Sequence, residues 1–341
     1  MNNEKLTIKD IAELAQVSKG TVSKALNNQP GVGKETKERI LKLIKQLDFH
    51  PNSAAQALAS NKTENLGLFI PHLSYNEISG SYWAAIISGI VEQANKFGYN
   101  ILLFTIEEGA DLYSAYNLLL KKKRVDGFIV GTELLDTRSI SALCISKIPF
   151  ILLGKNSMLN HFYVDINNYK ASFEMTKYMI GFGYKRIALL ASPEKLSYSK
   201  PRIQGYLDAI KEEGLDFSFH ISSPYTKKDS YAAIDIIMKQ KPDALFVGSG
   251  GDSILHTIDK FNELNIKVPE FGLAAFDDYI YMDYISPKIT TIRQPFLDLG
   301  SSSVEMLTQM IEKGEPDSPQ IIHSATIIPR ESCGEKLSHS L

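Results

Sequence analysis

Two cysteines in 341 residues, Cys144 and Cys333, are too few for a disulfide framework or for a zinc site of their own, and they read as buried thiols. No apolar run approaches the ~18–20 residues that a membrane-crossing helix needs. The amino-terminal stretch MNNEKLTIKDIAELA is charged and amphipathic. It lacks the apolar segment and small-residue cleavage site of a secretory signal, which places the chain in the cytoplasm. Reactive constellations are missing too. There is no Cys/His nucleophile arrangement, no Walker loop and no His/Cys cluster at metal-ligand spacing. The seven histidines are scattered. His72, at the end of a predicted strand, is a candidate for lining a cleft, although a lone histidine is more often structural. Gly248, Gly250 and Gly251 superficially suggest a phosphate loop, but no Lys-Ser/Thr follows them. These absences argue against an enzyme, a metalloprotein and a membrane protein, and they imply no cofactor.

What is present divides the chain in two. Hydrophobic residues make up 44% and charged residues 22%, the balance of an ordinary globular protein long enough for two or three domains. Net charge is −2, spread unevenly. Residues 1–62 hold ten Lys and Arg against six Asp and Glu, whereas the rest holds 27 against 33. A small basic head on an acidic body fits a segment that meets phosphates and another that does not.

Residues 6–15 read as a short helix. Thr7 is a good N-cap with Asp10 three residues on, and Ile8, Ile11, Ala12 and Ala15 recur on one face. A tight turn, Gln16-Val17-Ser18, leads to a second helix over 19–27, with Val22, Ala25 and Leu26 inward. Two short helices joined by about three residues make a helix-turn-helix. Lys19, Gly20, Thr21, Ser23 and Lys24 stay on or near the outer face of the second helix. Small and basic groups there suit entry into a major groove about 12 Å wide, with contacts to phosphates and base edges. A third helix is predicted over 34–47, with Ile40, Leu41, Ile44 and Leu47 as its buried stripe. Beyond it, Pro51-Asn52-Ser53-Ala54-Ala55-Gln56-Ala57-Leu58-Ala59 reads as a short alanine-rich helix, marginal unless something packs on it. A lone leucine on such a helix can wedge between base pairs in a minor groove; a plain linker helix is the bland alternative.

After a polar linker at 61–65, short apolar runs alternate with amphipathic stretches. Strands are predicted at 66–70, 100–105, 125–130 and 149–153, with helices at 82–97 and 112–122. The rhythm restarts with helices at 166–181, 202–213, 230–239 and 253–264 and strands at 186–191, 216–221, 244–248 and 271–276. Such a series implies two doubly wound parallel-sheet lobes, with a ligand cleft near strand C-terminal ends.

The runs TIKDIAELAQVSKGTVSKALNN and GVGKETKERILKLIKQLDFHPNSAAQALAS closely resemble the head of the lactose-repressor (LacI/GalR) family. In the body, RVDGFIV, VDINNYKA, GYKRIALLA, PRIQGYLDAIKEEGL, PDALFVG and FDDYIYMDYISPKITTIRQPFLDLG resemble the same family, so the likeness spans almost the whole chain. It implies a small all-α helix-turn-helix head (1–50), a hinge helix and linker (51–61) and an α/β body (62–341) of periplasmic-binding-protein type. It also implies crossovers that give a first lobe of about 62–161 plus 294–323 and a second of about 162–293 plus 324–335. Carried over, Lys19, Gly20, Thr21, Ser23, Lys24 and Asn27 are the major-groove positions. Ala55 and Leu58 are the minor-groove positions, Leu58 being the wedge. Gly20 brings no side chain to a position that often reads a base. Lys24 stands where the family commonly has Arg, losing bidentate guanine recognition.

For the cleft, the resemblance implies Asp277 and Arg202 as effector contacts, a carboxylate for paired hydroxyls and a guanidinium for a hydroxyl or carboxylate. Tyr82 and Trp83 are candidates for stacking on a sugar or planar ring, with core packing as the alternative. Asp278 beside Asp277 is a candidate helix cap. Two departures stand out: Ser249-Gly250-Gly251-Asp252 where members often have Asn-Asp, so that either glycines replace both polar groups or Asp252 is displaced by one, and Gly154-Lys155 where many carry Asp then Arg; Asp252 and Lys155 are the candidate effector contacts there. Fewer carboxylates plus Lys155 imply an anionic effector such as a sugar acid or sugar phosphate. The partners implied are a palindromic operator DNA, a small sugar-like effector and a second copy of the chain. No leucine heptad follows Arg330, which points to a homodimer and not a tetramer. The body alone also fits a solute-binding protein for a sugar transporter; the head and the missing signal segment argue against it.

Overall fold

The computed structural model describes residues 6–26, 30–47, 49, 62–70, 81–105, 112–121, 124–131, 137–156, 161–223 and 226–334. The sequence predictions for Asn27, the hinge with Ala55 and Leu58, and His72 lie outside them. The chain divides into two compact units, Met1–Glu64 and Asn65–Leu341.

The first unit contains α1 (Ile8–Leu14), α2 (Lys19–Leu26) and α3 (Lys34–Gln46). The Asp10 carboxylate accepts from the Thr7 amide at 2.7 Å while the Thr7 hydroxyl accepts from the Asp10 amide at 3.4 Å, a reciprocal capping box that starts α1. Ser18 Oγ accepts from the Thr21 amide at 3.1 Å and starts α2. Ile11, Ala12, Ala15, Val22, Ala25 and Ile40 form the core, closed by Phe49. Arg39 donates to the Ala15 carbonyl at 3.0 Å, tying α3 to the C-terminal end of α1. Leu41 is exposed, contrary to the predicted stripe, and Leu43 packs instead. The 100° step per residue puts 41 at the flank of the 40/43/44/47 face, about 60° beyond Ile44, where the side chain meets solvent.

The second unit has two sheets. The first comprises β1 (Asn65–Ile70), β2 (Asn100–Thr105), β3 (Gly127–Gly131), β4 (Phe150–Leu153), β5 (Tyr163–Ile166) and β11 (Gln320–His323), in the order β11-β5-β4-β3-β1-β2, all parallel. The second comprises β6 (Ile187–Ala191), β7 (Phe219–Ser222), β8 (Ala244–Val247), β9 (Gly272–Phe276), β10 (Thr290–Arg293) and β12 (Thr326–Ile328), in the order β12-β10-β9-β8-β6-β7. The helices are α4 (Ser81–Lys96), α5 (Leu112–Lys121), α6 (Thr137–Ser146) and α11 (Phe296–Lys313), linked in sequence to the first sheet, and α7 (Asn168–Gly181), α8 (Ser199–Glu212), α9 (Lys227–Lys239) and α10 (Ser253–Glu263), linked to the second. Strands β1, β3, β4, β6, β8 and β9 are almost wholly buried, as parallel strands covered on both faces must be.

Three expectations need correcting. The first crossover falls after the VD motif, not before it. Its residues form β5, which pairs with both β4 and β11 in the first sheet, so that sheet runs to Ile166 and not to 161. Val164 and Ile166 are buried in alternation, and Asn167 then caps α7 by accepting from the Lys170 amide. The second sheet is not wholly parallel: β12 runs antiparallel to β10 as the chain returns for a last edge strand. Cys144 is exposed on α6, whereas Cys333 is buried.

Candidate functional site

In the second sheet the strand order reverses about β6: β7 lies on one side and β8 on the other. Open parallel sheets bind ligands outside strand C-terminal ends at such a point. The segments leaving β8 and β9 there are Gly248–Asp252 and Asp277–Tyr281 respectively.

Asp277 follows β9 immediately, is 3% exposed and has φ of +73°. Left-handed backbone in a non-glycine residue is uncommon and is held by its surroundings. Here the holders are three donors: Gln294 Nε2 to Oδ1, the Tyr279 hydroxyl to Oδ2 at 2.8 Å and the Gly251 amide to Oδ2 at 3.2 Å. Burial, then the Asp277 charge, pushes the Tyr279 phenol well above its ordinary pKa, so it stays a donor.

Arg202 sits on α8. Gly205, three residues on, makes its position possible: a Cβ there would meet the Tyr169 carbonyl at 2.3 Å, so only glycine lets α8 settle on α7. The packing brings Arg202 Nε to Asn168 Oδ1 at 2.8 Å, and Nη1 donates to the Gly248 carbonyl at 3.0 Å. Its guanidinium lies over two aromatic rings, Phe276 at 3.4 Å from the ring centroid and Tyr198 at 4.5 Å. Arg202 is 5% exposed. A Cβ built on Gly250 would lie 2.5 Å from Asp277 Oδ2 and 3.5 Å from Arg202 Nη1, so the two charged groups border one point.

Asp252 stands at the start of α10 without capping it; its carboxylate accepts from the Tyr281 hydroxyl at 3.2 Å. Burial and the Asp252 charge raise the Tyr281 phenol. Tyr82 meets Trp83 and Phe296 edge-on, each at 5.5 Å, and Phe296 stacks on Tyr279 at 5.7 Å and 9°. This ladder joins α4 and α11 to the loop after β9. Trp83 is 5% exposed within the core, so its burial agrees with the packing alternative. Lys155 is exposed, and what it brings inward is its amide, which donates to Asp165 at 2.8 Å. Asp278 is no helix cap: it is gripped by Arg330 at 2.6 Å and Arg293 and accepts from the Thr291 hydroxyl.

Sequence reasoning missed three polar residues in this region. Ser249 Oγ is buried without a hydrogen-bond partner, at the end of β8. Asp165 and Asn168 link Lys155 to Arg202, and burial raises the Asp165 carboxyl against the lowering pull of the amides of Lys155 and Ile166 and the charge of Arg202. The alternation of β5 carried a signal: a carboxylate in a half-buried strand needs partners.

On the head, Lys19, Gly20 and Lys24 are exposed on α2, and Thr21 and Ser23 are half-buried. The Thr21 hydroxyl lies 2.8 Å from Ser18 Oγ. No helix among the described residues is long and apolar enough to cross a membrane.

Residues 63–329 match the family described as periplasmic binding proteins and sugar binding domain of the LacI family, and residues 7–52 match the bacterial regulatory proteins, lacI family. The regulator RegA of Clostridium acetobutylicum is 32% identical over 338 residues, covering 96% of this chain and 99% of that protein. Catabolite control protein A of Priestia megaterium is 30% identical over 323 residues, covering 92% and 95%. Among solved structures, the lac repressor dimer bound to operator and the anti-inducer ONPF has a TM-score of 0.84 at 20% identity, covering 97% of this chain and 100% of that one. A CelR–cellobiose complex has a TM-score of 0.73 at 23% identity, covering 96% and 99%. Matches to both family regions and full-length kinship to curated regulators make this chain a DNA-binding transcription regulator, and it belongs to the LacI family.

Proposed function

We propose that the chain is a homodimeric repressor whose hold on a palindromic operator is set by a neutral carbohydrate bound against Arg202, Ser249 and Asp277. The observation that carries this reading is the convergence of a buried guanidinium, a buried carboxylate and a buried unpartnered hydroxyl around the turn after β8. Sugar hydroxyls both donate and accept, so they satisfy all three groups at once. The charge balance favours a neutral ligand over the anionic one expected from sequence. The turn after β8 brings two carboxylates, Asp252 and Asp277, beside the one guanidinium of Arg202, and Lys155 is exposed.

Lys19, Thr21, Ser23 and Lys24 are the major-groove contacts, and two heads are required by a two-fold operator. Effector binding shifts the population between lobe arrangements and thereby the affinity for DNA. Sites are selected from random palindromic duplexes and tested by gel shift with the full chain, with and without cellobiose, ribose and galacturonate. Salt-dependent specific binding that changes with a neutral sugar is the expected result. Failure to enrich any palindrome overturns the operator-binding repressor, and a response to galacturonate alone overturns the neutral effector.

A further inference from the structure

Arg202 is held at one end by a relay that begins in the other lobe. Asp165, the third residue of β5, accepts from the Lys155 amide at 2.8 Å through Oδ2. Its Oδ1 accepts from the Ile166 amide at 2.7 Å and from Asn168 Nδ2 at 3.3 Å. Asn168 Oδ1 in turn accepts from Arg202 Nε at 2.8 Å. Lys155 follows β4 and Asp165 lies in β5, both in the first sheet, whereas Asn168 opens α7 and Arg202 lies on α8 beside the second. The relay therefore runs along the crossover where the chain changes lobes.

The order of atoms is dictated by chemistry. An ionised carboxylate only accepts hydrogen bonds and a guanidinium only donates them. An amide placed between the two has a single satisfied orientation, with its NH2 toward Asp165 and its oxygen toward Arg202. We propose that Asp165 is a positioning residue: by fixing the Asn168 amide it fixes the Arg202 guanidinium and ties that contact to the β4–β5 loop of the opposite lobe. This goes beyond the direct effector contacts and rests on Arg202 being one of them. Its test needs no effector, so the two can fail separately.

The readout is hydrogen exchange of the Arg202 Nε–H by NMR in the full chain, with Nε–H of Arg186, bonded to the Lys241 carbonyl, and of Arg293, bonded to Asp278, as internal controls. Asp165→Asn keeps the volume but allows the Asn168 amide to turn its NH2 toward Arg202. Exchange at Arg202 is expected to accelerate about tenfold, the equivalent of one lost hydrogen bond of about 1.4 kcal/mol, with the controls unchanged. The swapped pair Asp165→Asn with Asn168→Asp again places an acceptor against Arg202 and is expected to restore the protection. Unchanged exchange in Asp165→Asn, or equal acceleration at all three arginines, overturns the proposal, as does a swapped pair that restores nothing. Should Asp165→Asn fold poorly, Asp165→Ala, which strips Asn168 Nδ2 of its acceptor, is expected to accelerate exchange at Arg202 and at neither control, and unchanged exchange there is equally decisive.

Discussion

Replacing Gly250 by alanine isolates the closest approach in the candidate site. Its φ of +74° is left-handed, and the added Cβ would stand 2.5 Å from Asp277 Oδ2. The backbone strain costs about 1–2 kcal/mol. The carboxylate must also retreat from the Tyr279 hydroxyl or the Gly251 amide, and loss of a hydrogen bond to a buried charge costs about 1.5–3 kcal/mol. Together these give roughly 2.5–5 kcal/mol, or a fall in melting temperature on the order of 10 °C for a body of this size. Gly251 is the matched control: its φ is +59°, but a Cβ there meets nothing within 4 Å, so Gly251→Ala pays only the strain. Differential scanning calorimetry of the two variants beside the wild type separates the terms. Equal destabilisation would show that the Asp277 carboxylate yields freely and that close approach does not explain Gly250.

Asp278→Ala removes one of the two carboxylates on a guanidinium whose side chain is 9% exposed, while Asp283 stays at 3.1 Å, so the loss should be about 1.5–3 kcal/mol by urea unfolding. Burial raises the Asp278 carboxyl, but hydrogen bonds from Arg330, Thr291 and Arg293 outweigh it and hold the group below its ordinary 3.8. A lowered folded pKa gives stability that is complete above the unfolded value and lost as pH falls through the folded one. The difference in melting temperature between wild type and Asp278→Ala should therefore shrink below about pH 4, and a difference constant to pH 2.5 would contradict the ion-pair account. In the head, Thr7→Ala removes a capping box and should cost about 1 kcal/mol, seen as an earlier helical melt by circular dichroism, with the body transition unmoved.

Much of the head was legible because its determinants are local. A cap at Thr7, a second at Ser18 and apolar residues three and four apart fix helix starts and inner faces without reference to distant chain. Leu41 shows the limit: hydrophobicity alone placed it inside, while helix geometry turned it outward. In the body, strand and helix order followed from the alternation of apolar runs, but sheet membership did not. β5 is a four-residue strand whose lobe depends on pairing with β4 and with β11, more than 150 residues downstream. The β12 edge strand had the same difficulty, since its partner β10 precedes it by a whole helix and another strand.

The candidate site divided in the same way. Arg202 and Asp277 were reachable because each sits in a run with a recognisable pattern. Their partners were not, because hydrogen bonding among Asp165, Asn168 and Arg202 depends on how close Gly205 lets two helices come. The sequence by itself determined the capped helices of the head, the βα rhythm of the body and the residue types available to a ligand. Only the tertiary structure decided which carboxylates are already spoken for, that Asp278 binds arginines and caps nothing, and that Ser249 is left with an unanswered hydroxyl. Those are properties of burial and distance, and neither exists until separate segments meet.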